Sequence, residues 1–314
     1  MSGVRREKRA VCCFRKITMS GKRCLGVFGL SGENIKLCRT IIIVSLVFLF
    51  TLPSSIFAQE EKPVWELGMG AGFLYIPDYR GSNEGRPYAL PYPYFIYRGD
   101  IIKVDRQTIS GKIFKTDRVL LDVSFYGSVP VKSSKNSARA GMPDLDATFE
   151  VGPALDITIF DDRKNKCSLK VLLPARPVLS TDFSSIRYEG WLISPRLNFT
   201  KGDFIPGTGL ILGISTGPMF ADRRYHDYYY TVKPSYATTE RPAYKASGGY
   251  SGYTLTVGIT KRYRQYNLNA FVSADFLAGA AFEDSPLVKT KTSIMSGVSV
   301  SRVFMKSKKT VAAD

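Results

Sequence analysis

From Gln265 the chain alternates in character residue by residue. Tyr266, Leu268, Ala270, Val272, Ala274 and Phe276 take the even positions, with Asn267, Asn269, Ser273 and Asp275 among the odd ones. Successive side chains of an extended chain point to opposite faces, so this run predicts a strand with one apolar and one wet face. The same phase recurs upstream and downstream. Trp65, Leu67, Met69, Ala71, Phe73 and Tyr75 oppose Glu66 and three glycines; Val119, Leu121, Val123 and Phe125 oppose Asp122, Ser124 and Ser128. Phe149, Val151, Leu155, Ile157 and Ile159 oppose Thr148, Glu150, Asp156 and Thr158, while Leu169, Val171 and Leu173 face away from Lys170. Trp191, Ile193, Leu197 and Phe199 alternate with Ser194, Arg196 and Asn198, and Tyr253, Leu255, Val257 and Ile259 with Thr254, Thr256 and Thr260. Ile294, Val298, Val300 and Phe304 close the series against Ser293, Ser299 and Ser301.

After residue 58 no stretch is apolar enough for a membrane helix, and none sustains a helical period. Short polar connections at 161–166, 201–208 and 262–265 alternate with mostly longer ones around 77–88, 130–146, 178–187, 222–249 and 280–288. Outer-membrane barrels carry short turns on the periplasmic rim and long loops on the outer rim. The expected fold is therefore all-β: a transmembrane antiparallel β-barrel of the bacterial outer membrane. Closure demands an even number of strands, 10 or 12; Pro91, Pro93, Gly99 and Gly111 blur the count between Tyr88 and Lys115. The chain holds 18 tyrosines and 19 phenylalanines. Tyr75, Tyr79, Tyr92, Tyr94, Tyr97, Tyr188, Tyr263 and Tyr266 fall at segment ends, where interfacial girdles of a barrel would lie. A soluble β-sandwich or lipocalin-like barrel has the same period with its apolar face inward. Periodicity by itself does not separate the two.

The N-terminus adds an export argument. Residues 1–58 hold ten Lys or Arg against Glu7 and Glu33, a net +8, and end in an apolar core from Ile41 to Phe50 followed by Ile56 and Ala58. A basic region, a short apolar core and a small residue match a secretory signal peptide cut after Ala58. The basic leader is long, so Met1 and Met19 are both candidate starts. The expected organisation is a signal peptide with long basic leader at 1–58, a barrel at 59–304 and a basic C-terminal tail at 305–314. The other 34 basic and 25 acidic residues leave +9 without a dense Lys/Arg run, which speaks against a nucleic-acid partner. Cys12, Cys13, Cys24 and Cys38 lie in the leader, and Cys167 alone remains, so no internal disulfide or thiolate metal cluster is expected.

Three groups of residues carry a family resemblance. The first is Pro77-Asp-Tyr-Arg-Gly-Ser82 with Leu90-Pro-Tyr-Pro-Tyr-Phe-Ile-Tyr97. The second is Gly127-Ser-Val-Pro-Val131, Asn136, Ser137, Arg139, Gly141-Met-Pro-Asp-Leu-Asp146 and Glu150-Val-Gly-Pro153. The third is Asp222-Arg-Arg-Tyr-His-Asp-Tyr-Tyr-Tyr230, Arg241, Tyr244 and Gly248-Gly-Tyr250. In this order they resemble the MipA/OmpV family of outer-membrane proteins, over the chain from about Trp65 to Phe304. The resemblance implies a non-enzymatic scaffold that brings periplasmic peptidoglycan-remodelling enzymes, a lytic transglycosylase and a murein synthase, together at the membrane. It supplies no catalytic residues. The chain departs from the family pattern in its long leader and in the residues from Met305 to Asp314 that follow Phe304.

The residues offer little chemistry of their own. His226 is the single histidine, flanked by Tyr225 and Asp227. A general base oriented by Asp227 competes with a polar loop residue in an aromatic cluster, and no nucleophile motif accompanies it. The charges in lumen phase, Glu66, Asp122, Glu150, Asp156, Lys170, Arg196 and Asp275, have mixed signs. They suit a salt-bridge network filling a narrow barrel better than a selective pore lining. Asp144 and Asp146 lack the remaining ligands of a calcium loop. Gly68, Gly70 and Gly72 precede no helix, which excludes a nucleotide loop. Catalytic, cofactor-binding and metal residues are all expected to be none. The expected partners are outer-membrane lipid and a periplasmic murein hydrolase or synthase, with a narrow porin, an adhesin or a lipid-modifying enzyme as the other readings.

Overall fold

The computed structural model describes residues 62–98, 102–104, 109–111, 114–116 and 118–311. The leader and its expected cleavage point lie outside the described residues. The strands in chain order are β1 (Lys62–Pro63), β2 (Trp65–Pro77), β3 (Gly85–Arg98), β4 (Ile102–Val104), β5 (Ile109–Gly111), β6 (Phe114–Lys115), β7 (Val119–Ser128), β8 (Ala147–Asp162) and β9 (Cys167–Thr181). They continue with β10 (Ile186–Ile193), β11 (Arg196–Gly202), β12 (Leu210–Ala221), β13 (Gly249–Tyr263), β14 (Tyr266–Phe276), β15 (Thr292–Lys306) and β16 (Thr310–Val311).

Every pairing is antiparallel, and nearly all join sequence neighbours; β15 pairs with β2 and β1 with β16, joining the end of the chain to its beginning, and β10 and β11 share the space between β9 and β12. β10 and β11 occupy successive halves of one path between β9 and β12, broken at Ser194-Pro195. The long strands therefore make ten paths around the sheet, and the short β4, β5 and β6 lie between β3 and β7. β5 sits alongside β7, which brings the two ends of the sheet together. Bringing the ends together limits the edge of unpaired amides that lipid would meet, as a sheet in hydrocarbon requires.

Side-chain exposure settles the sense of the alternation. Leu67, Met69, Phe95, Leu173, Trp191, Ile211, Leu255, Val257 and Val300 are exposed on the outer wall. Glu66, Ser124, Thr148, Glu150, Arg176, Ser180, Ser273 and Ser301, in the opposite phase, are buried. On the β13–β14 pair the rule is visible row by row: Leu255 faces Ala274 and Val257 faces Val272 outside, while Thr256 and Ser273 share a 2.7 Å hydroxyl bond inside. A soluble barrel would show the reverse. The fold is a transmembrane antiparallel β-barrel, and no described helix is long and apolar enough to cross a membrane.

The interior is crossed by ion pairs. Glu66, with 0% exposure, accepts from Arg98 at 2.8 Å and from both Nη atoms of Arg262 at 3.0 and 3.1 Å. Arg262 reaches it from β13 past β14 and β15, so this bond spans the lumen. Higher up, Arg176 bonds Glu150 at 2.9 Å, Ser124 at 3.2 Å and Ser194 at 3.1 Å, and Lys170 lies 3.6 Å from Asp156. A charge inside a narrow wall must find its counter-charge within the wall, because water cannot solvate it fully.

Sequence reading and structure differ in three places. The Leu210–Ala221 strand was not expected, because Leu210-Ile-Leu-Gly-Ile214 is a continuous apolar run without alternation. The long connection expected around 178–187 is a four-residue turn at 182–185, because β9 keeps its alternation through Val178 and Ser180. The chain beyond Phe304 is ordered as far as Val311: Thr310 and Val311 pair with Pro63 and Lys62, and Val64 N–H donates to Lys309 O at 3.0 Å.

Two substitutions check the sense of the wall and the interior pairing. Leu255→Arg should destabilise the barrel by about 2–4 kcal/mol in denaturant refolding into lipid vesicles, because it places a cation in hydrocarbon. Glu66→Ala should cost about 3–5 kcal/mol, since it strands Arg98 and Arg262. Wild-type midpoints for either variant would contradict the assignment of faces.

Candidate functional site

The largest apolar core of the molecule lies in the long loops. Tyr79, Val131, Ala138, Leu145, Tyr230, Val232, Ala246, Leu277, Ala280, Phe282 and Leu287 pack together from four connections: 78–84, 129–146, 222–248 and 277–291. These connections share the rim opposite the short turns and the chain termini, which makes it the outer rim. Two backbone ladders stiffen the cap, Val131 with Leu145 and Val232 with Tyr244. Side chains tie loop to loop: Asn136 Nδ2 donates to Asp78 Oδ2 at 2.8 Å, and Tyr79 Oη to Leu287 O at 2.8 Å.

A helix sits at the centre of the cap. α1 (Arg223–Tyr230) begins where Asp222 Oδ1 accepts from Tyr225 N–H at 2.9 Å. It is two turns long and rich in aromatics, too short and too weak in propensity to be stable alone. Burial of Tyr225, His226 and Tyr230 supplies the stability. The Tyr230 ring stacks on Phe282 with centroids 3.6 Å apart and planes 6° apart. The helix also needs Gly190 on β10, which has φ +115°; a Cβ there would fall 2.2 Å from Asp222 Oδ1 and 2.6 Å from Tyr225 N. In sequence this stretch reads as part of a long loop; Asp222 as a cap and the four-residue spacings Tyr225–Tyr229 and His226–Tyr230 are weak local hints that only burial turns into a helix.

His226 joins the cap to the barrel. Its Nδ1 lies 2.6 Å from Ser247 O, so that nitrogen carries the proton, and Nε2 accepts from Ser251 Oγ at 3.1 Å. Ser251 Oγ in turn accepts from Arg80 Nη1 at 3.1 Å. Arg80 Nε lies 3.2 Å from Asp275 Oδ2 on β14, and Asp275 Oδ1 accepts from Thr254 at 2.5 Å. Tyr230 Oη donates to Arg80 O at 3.0 Å, which closes the circuit back to the helix. One continuous chain of bonds thus runs from two cap loops into the barrel wall.

In sequence Asp227 stands next to His226 as its candidate partner. Asp227 instead accepts from Thr231 at 2.6 Å and lies 3.4 Å from Arg223. Adjacent helical residues point about 100° apart, so Asp227 faces outward when His226 faces inward. The serine beside His226 comes from β13 and had no local motif to announce it. Ser251 and His226 are both 0% exposed, and the Ser251 hydroxyl is held between His226 and Arg80, so the pair is enclosed rather than open to a substrate. Among the described residues no group of His, Cys, Asp and Glu is arranged to hold a metal ion. Of the lumen charges singled out in sequence, Glu66, Glu150, Asp156, Lys170 and Asp275 stand in the ion pairs described above.

Burial holds the His226 pKa below its ordinary 6.5, opposed by the Ser247 carbonyl and reinforced by the nearby Arg80 charge. An opened cap then binds the proton more readily than the closed one. The stabilisation is complete above pH 6.5 and declines as the pH falls below it. Proteolysis of the outer loops should accelerate between about pH 7.5 and about pH 5 in the wild type. His226→Gln should flatten that pH dependence; an unchanged profile would remove His226 from the latch.

The family described as MltA-interacting protein MipA matches residues 69–304. The outer membrane protein Omp26La of Vibrio anguillarum is 23% identical over 217 residues, covering 67% of this chain and 76% of the relative. The outer membrane protein OmpV of Vibrio cholerae serotype O1 has the same identity and coverage. Among solved structures, outer membrane phospholipase A from Escherichia coli aligns over 82% of this chain and 96% of its own, with TM-score 0.31 and 10% identity. The CymD monoaromatic hydrocarbon channel aligns over 78% and 67%, with TM-score 0.27 and 14% identity. With its apolar outer wall and a family match across the whole barrel, the chain belongs to the MltA-interacting protein MipA family and is an outer-membrane protein.

Proposed function

We propose that this barrel is a non-enzymatic scaffold that holds murein-remodelling enzymes, a lytic transglycosylase and a murein synthase, at the inner face of the outer membrane. The observation that carries this reading is the periplasmic rim. There β1 and β16 clasp the two ends of the barrel chain into a two-stranded ribbon, and Arg98 Nη1 anchors it by donating to Pro63 O at 2.7 Å. The same Arg98 pairs with Glu66, so the ribbon is fastened to the buried ion-pair cluster. On the same rim Arg163, Lys164, Lys166, Arg264, Lys306, Lys308 and Lys309 are exposed, and its carboxylates include Asp161 and Asp162 at the end of β8 and Asp203. A fixed, basic platform suits an acidic protein surface, whose approach it steers.

The family description supports the reading, since it names a partner for its members. The interior ion pairs and the packed cap favour a support over a conducting pore, and the enclosure of Ser251 and His226 favours a non-enzymatic role. In this reading the leader is removed after Ala58, leaving Gln59 three residues ahead of the clasp.

Detergent-solubilised barrel on a column should retain a periplasmic lytic transglycosylase at low salt. Replacing Lys306, Lys308 and Lys309 together by Glu should weaken retention about three- to tenfold, with the difference shrinking at high salt. Failure of the wild type to retain any periplasmic murein hydrolase or synthase would falsify the scaffold reading.

A further inference from the structure

The outer cap contains a cavity that the scaffold reading does not use. It measures about 650 Å³ and opens between the 129–146 and 222–248 connections. Tyr228, Tyr236 and Tyr244 are among the residues that wall it, with Arg139, Lys233 and Lys245 as its cations. A volume of several hundred Å³ lined by rings and a few polar groups is the usual form of a small-molecule site.

The charge of the site is unbalanced. Arg139, only 3% exposed, donates to Ser133 Oγ at 3.3 Å, Tyr229 O at 3.0 Å and Pro143 O at 3.1 Å, all neutral acceptors. Arg241 lies behind it at 9% exposure and also donates to carbonyls alone, those of Tyr236, Ala138 and Ala140. Among the described residues, neither arginine and neither lysine has a carboxylate within ion-pair distance. The carboxylates of the cavity are already engaged: Asp144 Oδ1 accepts from Ser133 N–H at 2.7 Å, and Asp227 is held by Thr231 and Arg223. Three cations (Arg139, Lys233 and Lys245) line the cavity against these two carboxylates, an excess of one positive charge, and both carboxylates are engaged elsewhere. Two buried guanidiniums without counter-charge are costly, and an arriving anion would relieve them.

The rings narrow the class of anion. A tyrosine face presents apolar surface with a hydroxyl at its rim, which matches the C–H faces and hydroxyl edges of a pyranose. Tyr228 Oη is fixed by Asp146 N–H at 2.8 Å, so its ring is a rigid wall. We propose that the cavity binds an acidic saccharide, a pyranose carrying a carboxylate or phosphate, presented at the outer face of the membrane. The lysines and the field of the two arginines hold the acid, and the tyrosines hold the ring. Such a sugar could come from the lipopolysaccharide core of the same membrane or from a foreign acidic glycan; the chemistry is shared. This site lies on the rim opposite the clasp and stands or falls independently of the scaffold reading.

The test uses the full barrel in detergent, titrated calorimetrically with tri-galacturonate, with its neutral counterpart tri-galactose, and with delipidated lipopolysaccharide core oligosaccharide. The proposal expects at least one acidic ligand to bind about tenfold or more tightly than tri-galactose. Core oligosaccharide alone binding would assign the native source to the membrane, and tri-galacturonate alone to a foreign glycan. Lys233→Gln with Lys245→Gln should weaken the acidic ligand about tenfold while leaving the cap as protease-resistant as the wild type. Tyr236→Ala, at a half-buried ring whose hydroxyl has no partner among the described residues, should weaken it through lost stacking with the fold intact. Equal binding of acidic and neutral sugars, no binding of either acid, or a double lysine variant with wild-type affinity would overturn the proposal.

Discussion

A wall one strand thick, with hydrocarbon on its outer side, leaves a polar side chain only one direction to go. The buried charges of the described wall turn inward, and each must then be neutralised within a narrow space. Glu66 meets Arg98 and Arg262, Glu150 meets Arg176, and Asp275 meets Arg80. These contacts do more than remove a cost. Arg262 spans the lumen to Glu66, Arg98 extends the same cluster to the ribbon of the termini, and Arg80 extends the upper cluster into the cap. Pairing inside the wall thus fastens both ends of the molecule to it.

The two ends are built differently for a physical reason. On the periplasmic side the turns are short and hold only a small apolar cluster around Leu210 and Leu268, so order there comes largely from backbone pairing, including that of the termini. On the outer side four connections are long enough to bury aromatics against one another. The Tyr230–Phe282 stack and the surrounding apolar residues form a small domain core larger than the apolar clusters of the barrel strands. A cap stabilised in this way can carry a cavity, while the rim opposite offers a flat basic surface.

The histidine shows how one residue changes meaning with context. In sequence it stood alone among tyrosines, beside an aspartate. In the fold it is a buried link between Ser247 and Ser251, held neutral by its surroundings and fitted edge-on to Phe282 with centroids 4.7 Å apart. The Ser251 contact resembles the base–nucleophile pair of a hydrolase in distance alone. Arg80 occupies the remaining side of the hydroxyl, which turns the pair into part of a latch.

Much of the barrel was legible because alternation is a local property. Thr256 and Val257 declare their opposite faces through their neighbours, and the runs from Tyr266 to Phe276 and from Ile294 to Phe304 needed no partner to be read as strands. Leu210–Ala221 escaped because its apolar run, with two glycines, has no such contrast. What alternation could not decide was its sense, inward or outward, since the period is the same in water and in lipid. Export and family motifs argued for the membrane, and the exposure of Leu255 and Val300 decided it. The cap was beyond the sequence altogether. Its helix is stable only when Tyr225 and Tyr230 are buried, its latch joins residues from three loops and strands, and its cavity lies between segments about 90 residues apart. Such contacts depend on how the barrel brings its loop ends together, and the closed wall alone sets that distance.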